Sequence, residues 1–373
     1  MIEWGYTILK VIHLKRRMIC ILLFPAGVLL TILASNNPMM VEKYYSQGIY
    51  LWVSRWISLP ANPIPFSLGE MLVYIFIILL LFALAKTIYK VFQGGEIKYL
   101  AEFILKFLTL FSCLYFIFIM TWGLNYHRLP FADLAGLEIG PASDHSLEQL
   151  CEELIVRTNN LRKEIAEDEN GIAYISNGFI DVAKRVHLGY ENLKVQYPFL
   201  HTKHRPKPKG VLFSEGLSHA GIGGVFFPFT GEANVNTKLP QFMLPSTVAH
   251  EIAHHLGFAR EDEANFIAYL ACTAHPDKDF QYSGSLLALI HTMNAMYRYS
   301  PNTYILLMER YSDGVKKDIL ALNRFWDSYR GPIKDTSTNI NNAYLKSNLQ
   351  KDGIKSYGRM VDLLIAEFEN QRS

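Results

Sequence analysis

The pentapeptide His250-Glu251-Ile252-Ala253-His254 sets two imidazoles four residues apart with a carboxylate beside the first. On a helix, positions i and i+4 share a face, so His250 and His254 can offer two nitrogens to one metal ion. Glu251 then stands where a carboxylate can take a proton from a water on that metal. Two histidines, one further ligand and an open position for water are the design of a hydrolytic Zn²⁺ centre. With twelve histidines in 373 residues, chance produces this spacing in roughly a few per cent of chains. Its surroundings favour a helix: Pro245 and Ser246 stand at the start, no breaker interrupts residues 247–256, and Gly257 follows where a left-handed terminal residue is wanted. The plainer reading is an amphipathic helix carrying surface histidines.

A third ligand is expected from the acidic cluster Glu261-Asp262-Glu263, in the first turn of a second helix over residues 259–272. Glu261 shares its face with the small or polar Ala264, Asn265 and Ala268. Glu263 shares its face with Phe266, Ile267 and Leu270. Helices cross closely where side chains are small, so Glu261 is the expected ligand and Glu263 the alternative. Cys272 is a weaker candidate. His255, next to His254, points off the metal face, which suits a surface position or a supporting one.

The pattern H-E-x-x-H followed by E-x-x-A-N-x-x-A (Glu261, Ala264, Asn265, Ala268) is similar to the zinc site of gluzincin metallopeptidases. Membrane-embedded peptidases of the Ste24/HtpX type carry a similar E-x-x-A-D element as their third-ligand helix. Residues 226–236, together with 250–269, resemble a bacterial family of membrane-anchored H-E-x-x-H proteins of unknown function, over most of the chain. That resemblance implies a zincin-like domain but no biological substrate. Two departures from the Ste24/HtpX pattern stand out: the turn between the helices is very short, and Asn265 replaces the aspartate.

The elements that must position this site begin in a membrane. Half of the residues are apolar, above the level of an ordinary soluble domain, and the excess lies at the front. Residues 18–41, 71–85 and 107–126 carry no charge. With their flanks they predict three spans at about residues 18–38, 68–90 and 105–126. Lys10, Lys15, Arg16 and Arg17 precede the first; Lys86, Lys90, Lys98 and Lys106 lie between the second and third. The intervening loop, residues 42–70, has only Lys43 and Arg55. By the positive-inside rule the N-terminus is cytoplasmic and everything past the third span is extracytoplasmic. A cleaved leader does not suit the first run, which is long, lacks a small-x-small site and is followed by two more spans. The expected organisation is therefore a multi-pass membrane domain, residues 1–128, with the lipid bilayer as partner, and an outer domain, residues 129–373.

A net charge of +2 gives no reason to propose nucleic acid. The basic run over residues 201–209 could touch anionic lipid or cell-wall polymer, but its prolines suit a solvated loop. Cys20 and Cys113 fall in spans, while Cys151 and Cys272 lie in the outer domain, where pairing stays open.

The outer domain reads as mainly α (α+β). A helix starts near Ser146, with Gln149 completing a capping box, and another covers residues 179–193. Residues 211–213 and 224–227 read as short strands around a glycine-rich turn. In the resembling metallopeptidases an edge strand ahead of the metal helix binds substrate by strand addition, and residues 226–236 are placed to do so; a plain hairpin capping the core is the rival. Past Gly284, helices are expected at about 286–297, 304–310, 313–329, 339–349 and 353–368, with 337–342 as a loop. Tyr282, His291, Arg298, Tyr344 and Tyr357 could each stabilise an oxyanion, and spacing ranks none above the others.

The sequence thus predicts a membrane-anchored zinc metallopeptidase. His250, His254 and Glu261 hold Zn²⁺, and Glu251 acts as general base on a peptide or protein substrate. The alternatives are a hydrolase of a cell-wall or lipid-linked amide, or a metal-stabilised sensor or assembly factor without turnover.

Overall fold

Apolar length shapes the front of the chain. In the computed structural model, which describes residues 15–93, 97–140, 144–200, 206–347 and 359–372, helix α1 (Lys15–Ser35) is followed by a π-helix, Val41–Ile49, and by α2 (Tyr50–Ser58). Then come α3 (Leu68–Phe92) and α4 (Lys98–Thr121). Helices α1, α3 and α4 are long and apolar enough to cross a membrane; 21 residues at 1.5 Å each already cover about 30 Å.

Three boundaries differ from expectation. Helix α1 stops at Ser35 because Asn36 and Asn37 turn their side-chain amides back onto the carbonyls of Ile32 and Leu33. Pro38 then begins the next turn. The stretch expected as a loop between the first two spans is largely helical, since α2 has one buried face to pack. Helix α4 starts at Lys98 rather than near 105, because Glu102 and Lys106 pair at 3.0 Å one turn apart. Charges interrupt hydropathy without interrupting a helix.

The chain forms two units: one comprises Met1–Val53 and Leu68–Arg128, the other Ser54–Ser67 and Leu129–Ser373. In the first, Phe24 and Gly27 of α1 meet Tyr115 of α4. Beyond α4, a 3₁₀ turn (Gly123–His127) leads to Arg128, whose guanidinium donates two hydrogen bonds, 2.9 and 2.8 Å long, to Glu42 on the π-helix. Both ends of this pair are buried, and bidentate pairing is what makes a desolvated ion pair tolerable.

The second unit is mainly helical. It contains α5 (Asp144–Arg162), α6 (Gly178–Arg185), α7 (His187–Leu193), β1 (Lys209–Gly210), α8 (Ser214–Ala220), β2 (Gly224–Phe227) and β3 (Glu232–Val235). These are followed by α9 (Leu244–His255), α10 (Glu261–Thr273), α11 (Lys278–Tyr299), α12 (Pro301–Glu309), α13 (Asp313–Ser328), α14 (Pro332–Ser347) and α15 (Met360–Asn370). The sheet order is β1-β3-β2, so β3 is central and β2 lies at an edge. Strand β1 runs parallel to β3, with Lys209 opposite Asn234; β2 runs antiparallel, with Gly224 opposite Val235 and Phe227 opposite Glu232.

Several details depart from the sequence reading. Ser146 lies inside α5 and donates to Glu369 at 2.6 Å, so it closes no capping box. The helix over 179–193 is divided at Val186 into α6 and α7. The first strand is Lys209–Gly210 rather than 211–213, because Leu212 and Phe213 turn outward to solvent while the Ser214 hydroxyl bonds the Val211 carbonyl. Gly284 lies within α11 and starts nothing: a Cβ there would stand 2.5 Å from that of Cys272, so the glycine lets α11 cross α10 closely. The expected loop 337–342 is part of α14. The start of the last expected helix, Tyr357, and basic residues 201–205 lie outside the described residues, as does Lys10. Cys151 and Cys272 are both buried free thiols.

One core unites the helices around α9 and α10. Phe131 packs against Tyr197, Phe199, Phe258 and Phe266. A polar knot ties the outer helices to that core. Asp318 of α13, fully buried, receives Arg162 Nε of α5 at 2.6 Å, the Tyr282 hydroxyl of α11 at 2.5 Å and the Ala173 amide at 2.8 Å. Removing Asp318 would take from the buried Arg162 guanidinium its buried counter-charge, leaving Glu167 and the Gly171 carbonyl as partners. Asp318→Ala is expected to cost about 3–5 kcal/mol of stability, read as a lowered denaturation midpoint of the full chain in detergent. An unchanged midpoint would show that the knot does not hold α5, α11 and α13 together.

Candidate metal centre

Helix α9 carries Pro245 in its first turn and ends in a left-handed reversal. Gly257 sits at φ +85°; its amide donates to the His254 carbonyl at 2.9 Å, and the next amide, Phe258, donates to Ala253 at 3.1 Å. These two bonds form a Schellman motif, which needs glycine at the reversing position. The chain re-enters a helix at once, with Arg260 as N-cap and Glu261 as the first residue of α10. Five residues, 256–260, therefore fix one helix against the other.

This turn brings His250, His254 and Glu261 together, with their candidate ligand atoms all within 4.8 Å of one another. His250 Nε2 lies 3.2 Å from one Glu261 carboxylate oxygen, and His254 Nε2 lies 3.6 Å from the other. The far side of each ring is engaged. The Phe258 carbonyl accepts from His254 Nδ1 at 2.7 Å, and Asn265 Oδ1 pairs with His250 Nδ1 at 2.9 Å. Because a carbonyl only accepts, the Nδ1 atoms carry the hydrogens. The Nε2 side of both rings is thus turned towards the Glu261 carboxylate, where each can donate to it when protonated or offer a lone pair to a cation when neutral.

The donor set fits a divalent metal. Ligand atoms about 2.0–2.1 Å from a tetrahedral centre stand roughly 3.3 Å apart, close to the two separations seen here. Burial alone would push the Glu261 carboxyl up, but His254 and His250 hold it well below the usual carboxylate range. Burial alone would lower His254; Glu261 outweighs it and raises the imidazole to about 9. Each shift expresses the same attraction between the carboxylate and positive charge.

Glu251 is of another kind. It is buried, and its Oε2 has no hydrogen-bond partner among the described residues. Burial, with Glu261 adding to it, raises its carboxyl to about 7 against the opposing pull of His250 and His254. A carboxyl poised near neutrality can both accept and return a proton.

Glu263 is placed elsewhere. Its Oε1 accepts from the Phe131 amide at 2.9 Å and from Arg260 at 2.8 Å, so it braces the start of α10. Cys272 lies at the crossing of α10 with α11. His255 is buried rather than a surface residue, and its Nδ1 bonds the Gly231 carbonyl at 2.9 Å. Tyr282 is taken up by Asp318.

Sequence reasoning missed the approach of β2 to Glu251. A Cβ on Gly224 would stand 2.5 Å from a Glu251 carboxylate oxygen, closer than any side chain tolerates. The only signal was a glycine at the head of an apolar strand, which marks close backbone approach. Gly224→Ala must displace Glu251 or open the strand. The expected outcome is a loss of roughly 1–3 kcal/mol together with a shifted Glu251 side chain, read by denaturation and by a structure of the variant. An unmoved Glu251 at full stability would mean that the strand does not seat it.

No curated protein and no solved structure matches this chain. Residues 45–365 match the family model described as Protein of unknown function (DUF3810), and the chain belongs to that family.

Proposed function

We propose that this protein is a membrane-anchored, zinc-dependent peptidase working outside the cytoplasm. The observation that carries the reading is the convergence of His250, His254 and Glu261 beside a buried carboxyl, Glu251, one oxygen of which has no hydrogen-bond partner among the described residues. Structure alone has no use for such a carboxyl, because burying it without a partner costs stability. The arrangement also suits the gluzincin-like reading of the motif.

His250, His254 and Glu261 would hold the zinc ion, which when bound supplies a Lewis acid for a carbonyl oxygen and a water acidified towards neutrality. Asn265 and the Phe258 carbonyl hold the two imidazoles in the tautomer that ligation requires. Glu251, raised to about 7, takes the proton of the attacking water and delivers it to the departing amine. Strand β2, at the sheet edge and against Glu251 through Gly224, offers its backbone to an extended peptide. The location outside the cytoplasm rests on the charge bias: Lys15, Arg16 and Arg17 in the first turn of α1, and Lys86, Lys90, Lys98 and Lys106 towards the facing ends of α3 and α4.

The decisive experiment pairs zinc content with digestion of a broad peptide library. Wild type should hold one zinc per chain and cut peptides. Glu251→Gln should keep the zinc and lose about 10²–10⁴-fold in turnover; full activity in that variant would refute the assignment. Asn265→Ala should weaken zinc binding roughly 10–100-fold, while Glu261→Gln should release it. Undiminished zinc in Glu261→Gln would mean that the third ligand lies elsewhere.

A further inference from the structure

The helix between the first two apolar spans has an inverted character. Its buried face is Tyr50, Ser54 and Ser58, and its outward face is Trp52, Arg55, Trp56 and, one turn on, Leu59. Trp52 and Trp56 are 65% and 55% exposed. A helix that turns serines inward and tryptophans outward is not built to face water. Aromatic rings of this kind gather at the boundary between headgroups and acyl chains, with arginine reaching to the headgroups.

Covalent connectivity supports that position. Ser67 is joined directly to Leu68, the first residue of α3, an apolar helix of 25 residues. Phe66, next to that start, is itself exposed. With spans alternating in direction, the end of α1, the start of α3 and the end of α4 fall on one side of the bilayer, and the segment 36–67 lies on that side.

The same segment supports the candidate substrate strand within the second unit. Gly231, at φ +63°, closes the β2–β3 turn so tightly against α2 that a Cβ would come within 3.1 Å of Ser58 Cβ. The Gly231 carbonyl is held from the other side by His255 of the metal helix. Lys209 of β1, buried, gives its ammonium to the carbonyls of Asn62 and Ile64. Two strands of the sheet are therefore pinned to residues 54–67.

We infer that Trp52, Trp56, Leu59 and Phe66 seat this segment in the lipid interface and that the site takes, as its substrate class, peptide stretches close to the bilayer, from chains themselves anchored in it. The substrate class rests on the peptidase reading; the seating does not.

Full-length protein in nanodiscs tests both. Lipids brominated near the headgroups should quench a share of tryptophan emission that is missing in the Trp52→Phe/Trp56→Phe variant. If the double variant loses the same absolute emission as wild type, the seating is wrong. One peptide sequence is then offered free and attached to a lipid through a short spacer. The anchored form should be cut at least tenfold faster. Trp56→Ser/Leu59→Ser should erase that advantage and leave the free-peptide rate unchanged. Equal rates for free and anchored peptide in wild type would overturn the substrate class alone. If neither form is cut by zinc-loaded protein, the peptidase reading falls and the substrate class with it, while quenching still decides the seating.

Discussion

Five residues, 256–260, carry the constraint on which the site depends. A loop of ordinary flexibility between α9 and α10 would leave Glu261 free to settle beside Arg260 or in solvent. The Schellman bonds at Gly257 and Phe258 remove that freedom. They also turn the Phe258 carbonyl onto His254 Nδ1, so one reversal sets the crossing of two helices and the tautomer of a candidate ligand. Asn265, one helical turn past Glu261, does the same for His250. The local backbone and the hydrogen-bond shell are one piece of covalent geometry.

Holding two polar helix faces this close demands support from behind. The large side chains of α10 supply it: Phe266, Ile267 and Leu270 are buried in the aromatic core around Phe131, which leaves Ala264 and Ala268 to admit α9. Glu263 meets its neighbours Arg260 and the Phe131 amide, so the second acid of the cluster braces the helix start that the first acid uses. The buried Asp318 knot binds α5, α11 and α13 around the same core. Asp318 and Glu263 each have several partners, as stability requires, whereas Glu251 Oε2, like one oxygen each of Asp262 and Glu263, has no hydrogen-bond partner among the described residues.

What the sequence made legible follows from the range of the interactions involved. Features set within one or two helical turns were readable: the shared face of His250 and His254, the left-handed role of Gly257, and the approach of Glu261 rather than Glu263 to the two histidines, from the size of their neighbours. The three apolar helices were readable because hydrocarbon thickness is a length requirement. Features set by distant pairings were not. Gly284 read as a break because its role, admitting Cys272, is tertiary. Ser146 matched a capping box locally and was claimed by Glu369 from the far end of the chain. Residues 42–70 read as a loop because the helix within them, Tyr50–Ser58, hides serines and shows tryptophans, the reverse of the pattern that marks a helix in water.

Glu251 is instructive. A fold optimised for stability alone would fill the place of Glu251 with an apolar side chain, since a carboxyl buried without a partner costs about 1–3 kcal/mol or more. Instead the chain removes a side chain from the facing strand, Gly224, to make room for it, and one of its oxygens has no hydrogen-bond partner among the described residues. The Glu261 carboxylate poses a similar problem, because its negative charge calls for a positive one between it and the two rings, whether protons on His250 and His254 or a bound cation. Both liabilities vanish together in the presence of a divalent ion and a water: the ion satisfies the three ligands, and the water satisfies the carboxyl. Metal binding would then stabilise the fold as well as equip it. Two departures from stable packing, one on α9 and one between α9 and the first residue of α10, and relieved by the same pair of guests, are the physical argument for reading this centre as chemistry rather than as architecture.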